Sequence, residues 1–290
     1  MQHHAIHKEG PIFSRIISGA WRWNLEESKV LLLIKASLDA GITTFDHADI
    51  YGDHSNEEIF GNVLKKNPSL RNELQIVTKC GIKFPSGKRP KTWVKHYDTS
   101  RDHILWSAEN SLQMLGTDHV DLLLIHRPDP LLHPEQVADA FTQLKTSGKV
   151  LHFGVSNFSA LQFEMLQSYL SFPLVTNQIE LSVTHHQPLF DGTMDVMMKH
   201  RTGVMAWSPL GGGKLISEGS QELFNKASKY GGSSAQLSLA WLLRHPGNIF
   251  PVIGTTKPDR ITESAKAADI VMDIQDWFEM LRAIQGKDMP

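Results

Sequence analysis

Apolar residues along this chain fall into two kinds of stretch that take turns. Short runs rich in β-branched and aromatic side chains read as buried strands at 15–21, 42–45, 75–79, 120–126, 150–155, 174–176, 203–206 and 249–253. Between them, apolar residues recur at helical spacing. Val30, Leu33, Ile34 and Leu38 do so over 26–40, and Gly41 then stops the helix. Ser55 reads as an N-cap with Glu57 and Glu58 in the first turn, leading into Ile59, Phe60, Val63 and Leu64 before Pro68. Further helices are predicted at 101–115, 134–147, 159–170, 188–201, 233–244 and 258–267. Strict strand–helix alternation favours a parallel sheet, and eight strands favour its closure into a (β/α)8 TIM barrel. Residues 1–14, broken by Gly10-Pro11, suit an N-terminal β-hairpin that plugs the barrel bottom, and a short C-terminal helix completes the expected fold. No linker, composition break or fixed-period repeat divides the chain, so 1–290 is expected to be a single domain. The segment 81–100, rich in Pro, Gly and Lys, is long for a loop in a compact domain and is expected to be functional or mobile.

The strands share a second property: they end in polar side chains. The second runs into Asp46, with Tyr51 five residues on; the third ends in Lys79 and the fourth in His126. Ser156 and Asn157 follow the fifth, Asn177 and Gln178 the sixth, Trp207 and Ser208 the seventh. In a (β/α)8 barrel the carboxyl ends of the strands face one pocket. Tyrosine is too weak an acid to protonate a substrate well at neutral pH. A nearby lysine ammonium is expected to pull its pKa down, an aspartate to hold that lysine charged, and a histidine to orient a carbonyl oxygen. This is equipment for protonating oxygen as charge develops there.

Composition narrows the alternatives. With 290 residues, 41% hydrophobic, the chain can bury a large core, and a formal net charge of −2 offers no footprint for nucleic acid or an anionic membrane. No run of 18 apolar residues predicts a membrane span, and no signal peptide is visible. The single cysteine, Cys80, excludes an intrachain disulfide and suits a reducing cytoplasm, the expected location; the thiol reads as passive. His3, His4 and His7 lack partnered ligands, so no metal site is expected. Gly-x-Ser-x-Gly, Gly-x-Gly-x-x-Gly and zinc spacings are absent, and Gly211-Gly212-Gly213-Lys214 is not a Walker sequence. A nicotinamide cofactor would have to be held by barrel loops.

The ordered set Asp46-His47-Ala48-Asp49-Ile50-Tyr51-Gly52, Asp121 to His126, Gly154 to Phe158, Asn177-Gln178, Trp207-Ser208-Pro209-Leu210 and Ile253 to Ile261 resembles the aldo-keto reductase superfamily along nearly the whole chain. His126 to Pro130 is similar to its bacterial short-looped oxidoreductase branch. The resemblance implies NADPH-dependent reduction of small aldehydes or ketones, with NADH the lesser cofactor. It assigns Tyr51 as proton donor, Lys79 and Asp46 as its tuners and His126 as carbonyl orienter. Ser156, Asn157 and Gln178 would bond the carboxamide, and Trp207 would stack on the nicotinamide where many relatives carry tyrosine. Ser208, Leu210, Gly212 and Lys214 would line the pyrophosphate. Thr255, Lys257 and Arg260, at a helix N-terminus, would meet the 2′-phosphate. Three departures stand out: Gly254 where a lysine is common, Ser264 where Asn or Gln is common, and His47 in place of threonine. Trp21 and Trp93 are the candidate substrate walls; Arg127 is expected to pair with Asp129 or another loop acid. A competing reading is an NADPH-binding sensor on the same scaffold with little turnover, and a weaker one a barrel isomerase or lyase without nicotinamide. Neither substrate identity nor oligomeric state is written in the sequence.

Overall fold

The computed structural model describes residues 2–213 and 226–288. Eight parallel strands close into a barrel: β1 (Ile17–Gly19), β2 (Thr44–Asp46), β3 (Gln75–Cys80), β4 (Val120–Ile125), β5 (Val150–Ser156), β6 (Leu174–Glu180), β7 (Gly203–Trp207) and β8 (Ile249–Ile253). Each pairs with its sequence neighbour, and β8 closes on β1 with Val252 opposite Ile17 and Ile253 opposite Ser18. The outer layer carries α1 (Glu27–Asp39), α2 (Asn56–Lys66), α3 (Arg101–Leu115), α4 (Pro134–Thr146), α5 (Ala160–Gln167), α6 (Thr193–Lys199), α7 (Ser234–Leu243) and α8 (Pro258–Ala265), and α9 (Ile274–Gln285) follows. None of the helices among the described residues is long and apolar enough to cross a membrane.

Strand alternation divides the core in two. On β3, Ile76 and Cys80 face the helices, while Val77 faces inward with Ile17, Leu122, Leu124, Met205 and Phe250. Burying each such side chain stabilises the fold by about 1.5–3 kcal/mol. The predicted hairpin forms from His3–Ala5 and Ile12–Ser14 and seals the bottom: Ile6 and Phe13 join the inner cluster, and the Gly203 N–H donates to the Ile6 carbonyl at 2.6 Å. Helix starts follow local chemistry. Ser159 with Gln162, and Ser233 with Gln236, form reciprocal capping boxes, and Pro134 and Pro258 stand in first turns.

Several predicted features move. The first strand stops at Gly19, freeing Ala20 and Trp21 to turn over the barrel top. The sixth extends to Glu180, so Asn177 and Gln178 lie within the sheet. The helix expected over 188–201 is a 3-10 turn, Gln187–Leu189, and then α6, separated by Gly192 at φ 87°. Ser55 does not cap α2 with its side chain; its hydroxyl accepts from the Lys88 ammonium at 2.7 Å instead. Within 81–100, a two-residue antiparallel ladder joins Ile82–Lys83 to His96–Tyr97.

Candidate active site

The inward register that supplies the apolar core supplies the site two residues later. Val77 is followed inward by Lys79, Leu124 by His126, and Met205 by Trp207. Lys79 is fully buried, and its ammonium uses three N–H directions. It donates to Asp46 Oδ2 at 2.7 Å, to the His47 carbonyl at 2.8 Å and to Tyr51 Oη at 3.1 Å. Asp46 keeps its other oxygen occupied: Oδ1 accepts from Gln178 Nε2 at 2.8 Å. A lysine with no water is tolerated only when paired and hydrogen-bonded in this way. The His126 ring meets the Tyr51 ring edge-on, with centroids 5.9 Å apart at 80°. The four tetrad residues therefore converge.

Their electrostatics differ from expectation at one point. The Tyr51 phenol is pushed above its ordinary pKa, not pulled down. Burial is the largest cause and Asp46 adds to it; the Lys79 ammonium acts in the expected sense but offsets only part. Desolvation penalises a phenolate before any neighbour is counted, and this weight is invisible in a sequence. The phenol is thus protonated at neutral pH, as a proton donor must be. Burial also works against the Lys79 charge, yet Asp46 and Tyr51 hold its pKa above the lysine value. Burial, then Lys79 and Arg127, drive His126 well below the usual histidine range, so the imidazole is neutral.

Above these residues opens a cavity of about 720 Å3. Asp46, Tyr51 and His126 line one end; Ser156, Asn157, Gln178 and Trp207 follow; Ser208, Leu210 and Gly212 continue the wall to Thr255, Lys257 and Arg260. The predicted cofactor residues thus share one cavity, except Lys214, which lies outside the described residues. Several are already fixed by one another. Asn157, left-handed at φ 62°, donates through Nδ2 to Ser156 Oγ at 2.8 Å and accepts from Trp207 Nε1 at 2.9 Å. Ser156 Oγ donates to the Gln178 carbonyl at 2.8 Å. Gln178, expected to bond only a carboxamide, also does something unforeseen, since its amide nitrogen holds Asp46.

Trp21 lines the cavity, but Trp93 does not: it is 87% exposed on the loop after β3. Arg127 does not pair with Asp129. That carboxylate accepts from Thr99 Oγ1 at 2.9 Å and from the Leu131 N–H at 2.8 Å, while the Arg127 guanidinium lies 5.7 Å from the Trp207 ring centroid. The Gly254 departure has a geometric counterpart, since a Cβ there would come within 2.5 Å of Trp21 Nε1. His47 is fully buried with its ring edge-on to Phe60 at 4.4 Å, and burial lowers its pKa to about 3.

Sequence reasoning missed Arg22, Ser233, Ser234 and Glu263 on the cavity wall. The Ser233–Gln236 spacing before an apolar run was the available signal, a capping box that marks a helix N-terminus. Ser233 Oγ donates to Glu263 Oε1 at 2.5 Å, so the acid beside Arg260 is occupied.

Known proteins resemble the chain over nearly its whole length. A family model, Aldo/keto reductase family, matches residues 15–285. The oxidoreductase YcsN of Bacillus subtilis (strain 168) is 47% identical over 289 residues, 96% of each chain. A 6-dehydroglucose reductase of Agrobacterium fabrum (strain C58) is 46% identical over 284 residues, 95% of this chain and 96% of that one. Among solved structures, the thermostable aldo-keto reductase Tm1743 with the inhibitor epalrestat matches with a TM-score of 0.85 at 27% identity, covering 98% of this chain and 100% of that chain.

Proposed function

Because the chain belongs to the aldo/keto reductase family, we propose that it reduces an aldehyde or ketone to an alcohol with NADPH, in preference to NADH, and that Tyr51 donates the proton. The observation that carries this reading is the buried ammonium of Lys79, bonded at once to Asp46 and to the Tyr51 hydroxyl. A sensor with no chemistry to perform has no use for a phenol held in this way.

The residues present fit a dinucleotide. The cavity runs from the tetrad to the first turns of α7 and α8, where the helix dipoles favour phosphate. Trp207, tethered through its indole N–H, offers an aromatic face beside the tetrad. Ser156, Asn157 and Gln178 would fix the carboxamide, and Lys257 and Arg260 would meet a 2′-phosphate. When bound, the cofactor supplies a hydride to the carbonyl carbon. The protein's own part is to place and protonate the oxygen. Neutral His126 donates a hydrogen bond to that oxygen and orients it. The Tyr51 O–H bond breaks as its proton moves to the oxygen, and the Lys79 ammonium, already in contact, stabilises the phenolate left behind.

The name of the Agrobacterium relative makes 6-dehydroglucose the first substrate to try. With it and a panel of small aldehydes, NADPH consumption is expected, and Tyr51→Phe should lower kcat by roughly 10²–10⁴ with cofactor affinity unchanged. Full activity in Tyr51→Phe would overturn the assignment.

A further inference from the structure

Behind the Tyr51 segment lies a second cavity, of about 340 Å3, with no lining residue in common with the first. Its walls come from Asp49 and His54, from the loop after β3, and from α3. Three buried polar atoms on those walls have no partner among the described residues: Asp49 Oδ1, His54 Nε2 and His103 Nε2. Buried polar atoms are nearly always hydrogen-bonded, so three orphans on one small cavity point to a missing partner. The other Asp49 oxygen accepts from Ser107 Oγ at 2.7 Å, which fixes the carboxyl in place. Burial and the nearby Glu57 push Asp49 up to about 8, so at neutral pH its carboxyl carries a proton it can offer. His54 is oriented too: Nδ1 donates to the Asp49 carbonyl at 2.7 Å, and a bound anion favours the imidazolium, whose Nε2–H then donates to it.

The remaining walls are flat and cationic. The His54 and Phe84 rings stack at 5.1 Å and 6°, and His103 and Trp106 at 5.7 Å and 20°. The Arg89 guanidinium lies 4.9 Å from the Trp106 ring centroid. Lys83 is neutralised by Asp98 at 3.2 Å, whereas Lys88, Arg89 and Lys91 enter no ion pair among the described residues. Lys88 is tied to Ser55 Oγ and the His54 carbonyl, whereas Arg89 spends only Nη1 on the Lys88 carbonyl at 3.3 Å and keeps its other guanidinium N–H groups for a ligand. An apolar pocket with convergent polar groups and an excess of positive charge selects a flat anion over a neutral or cationic molecule.

We propose that this cavity is a second binding site, separate from the catalytic one, for a small planar organic carboxylate whose flat body rests against the stacked rings and whose charge is met by Arg89. It stands independently of the carbonyl-reductase reading.

Benzoate is a suitable probe, with the full chain followed through its histidine ring NMR signals. The His54 and His103 signals are expected to shift saturably, with Kd on the order of 1 mM. Arg89→Ala should weaken that binding at least about tenfold, because a charge-assisted contact is lost. Benzyl alcohol, which lacks the charge, and acetate, which lacks the ring, should each bind at least about tenfold more weakly. Trp106→Leu, at a half-exposed site, should weaken benzoate but not acetate. Benzoate entering the catalytic cavity is distinguished by a shift of His126 that depends on Tyr51. The proposal is overturned if only His126 responds, if acetate matches benzoate, or if Arg89→Ala binds as the unaltered chain does.

Discussion

The lower and upper layers of the barrel interior are built by the same strands, with the same alternation, from opposite chemistry. Below, Ile17, Val77, Leu122, Leu124, Met205 and Phe250 pack with the hairpin residues Ile6 and Phe13 into an inner cluster of apolar side chains. One inward step higher, Asp46, Lys79, His126, Gln178 and Trp207 carry hydrogen-bonding or charged groups. The lower layer is stabilised by removal of area from water and tolerates changes of shape within limits. The upper layer gains nothing from burial itself; it persists because Asp46 takes hydrogen bonds from both Lys79 and Gln178 and Asn157 takes the Trp207 indole N–H, while His126 Nδ1 has no partner among the described residues. Stability and chemistry are therefore separable along a single strand, two residues apart.

The sharpest way to break this comparison is to unbalance the upper layer. Lys79→Met leaves the Asp46 carboxylate buried beside a thioether, with Gln178 its one remaining side-chain partner among the described residues. We expect a loss of about 3–5 kcal/mol in denaturant unfolding, together with loss of turnover. Asp46→Leu combined with Lys79→Met should recover most of that stability and none of the activity. If the double variant is as unstable as the single one, the upper layer holds the barrel together in a way the comparison denies.

The reciprocal test lies at Leu124, fully buried one inward position below His126. Leu124→Ala should cost about 2–5 kcal/mol through lost transfer energy and the cavity left behind. Activity of the folded fraction should stay within a few-fold of the unaltered chain. A collapse of kcat at unchanged Tyr51 ionisation would show that the layers are mechanically coupled.

These layers also decide what could be read from the sequence. A buried strand that ends in an acid, a lysine or a histidine breaks its own pattern, so Asp46, Lys79 and His126 stand out, and with eight such runs the barrel was legible. Tyr51 and the lining of the large cavity followed from ordered motifs. What stayed hidden depends on balance or on loops. The sign of the Tyr51 pKa shift turns on burial against one ammonium, and no spacing encodes that weight. Trp93 sits in a segment without periodicity, so its 87% exposure could not be foreseen. The second cavity draws its lining from residues 49 to 106, whose meeting is a property of the fold. The bond from Gln178 to Asp46 was not foreseen because its strand runs farther than the apolar run suggests.

His47 sharpens the comparison on the outer face of β2. Its ring is fully buried against Phe60, and neither ring nitrogen has a partner among the described residues. Burial, with Lys79 adding to it, depresses its pKa to about 3. The unfolded chain, with histidine near 6.5, binds a proton there that the folded chain refuses. The stability this residue contributes is thus present above pH 6.5 and lost as pH falls from there toward 3. Between pH 7 and pH 5 the loss is roughly 2 kcal/mol. In His47→Leu that loss should vanish. The variant should therefore gain on the unaltered chain by that amount over the same interval, measured by urea unfolding at each pH. An unchanged gap would mean that the imidazole finds a partner when protonated.

The smallest effect is expected where the upper layer has no side chain of its own. Val252 on β8 belongs to the inner cluster, and the next inward position is Gly254. Its place is taken by Trp21, which reaches across from the end of β1 with the Arg22 guanidinium 4.3 Å from its ring centroid. A methyl group at 254 would come within 2.5 Å of the Trp21 Nε1 and within 3.0 Å of Cδ1. Trp21 is 52% exposed, so the indole can swing outward rather than force the backbone apart. Gly254→Ala should then leave stability within about 1 kcal/mol of the unaltered chain. It should move one wall of the catalytic cavity, raising KM for the carbonyl substrate a few-fold with kcat held. Trp21→Ala in the same background should add nothing further, because the wall it removes has already been displaced. Additive effects of the two substitutions would instead mean that Gly254 matters to the cofactor side of the cavity and Trp21 to the substrate side, each on its own account.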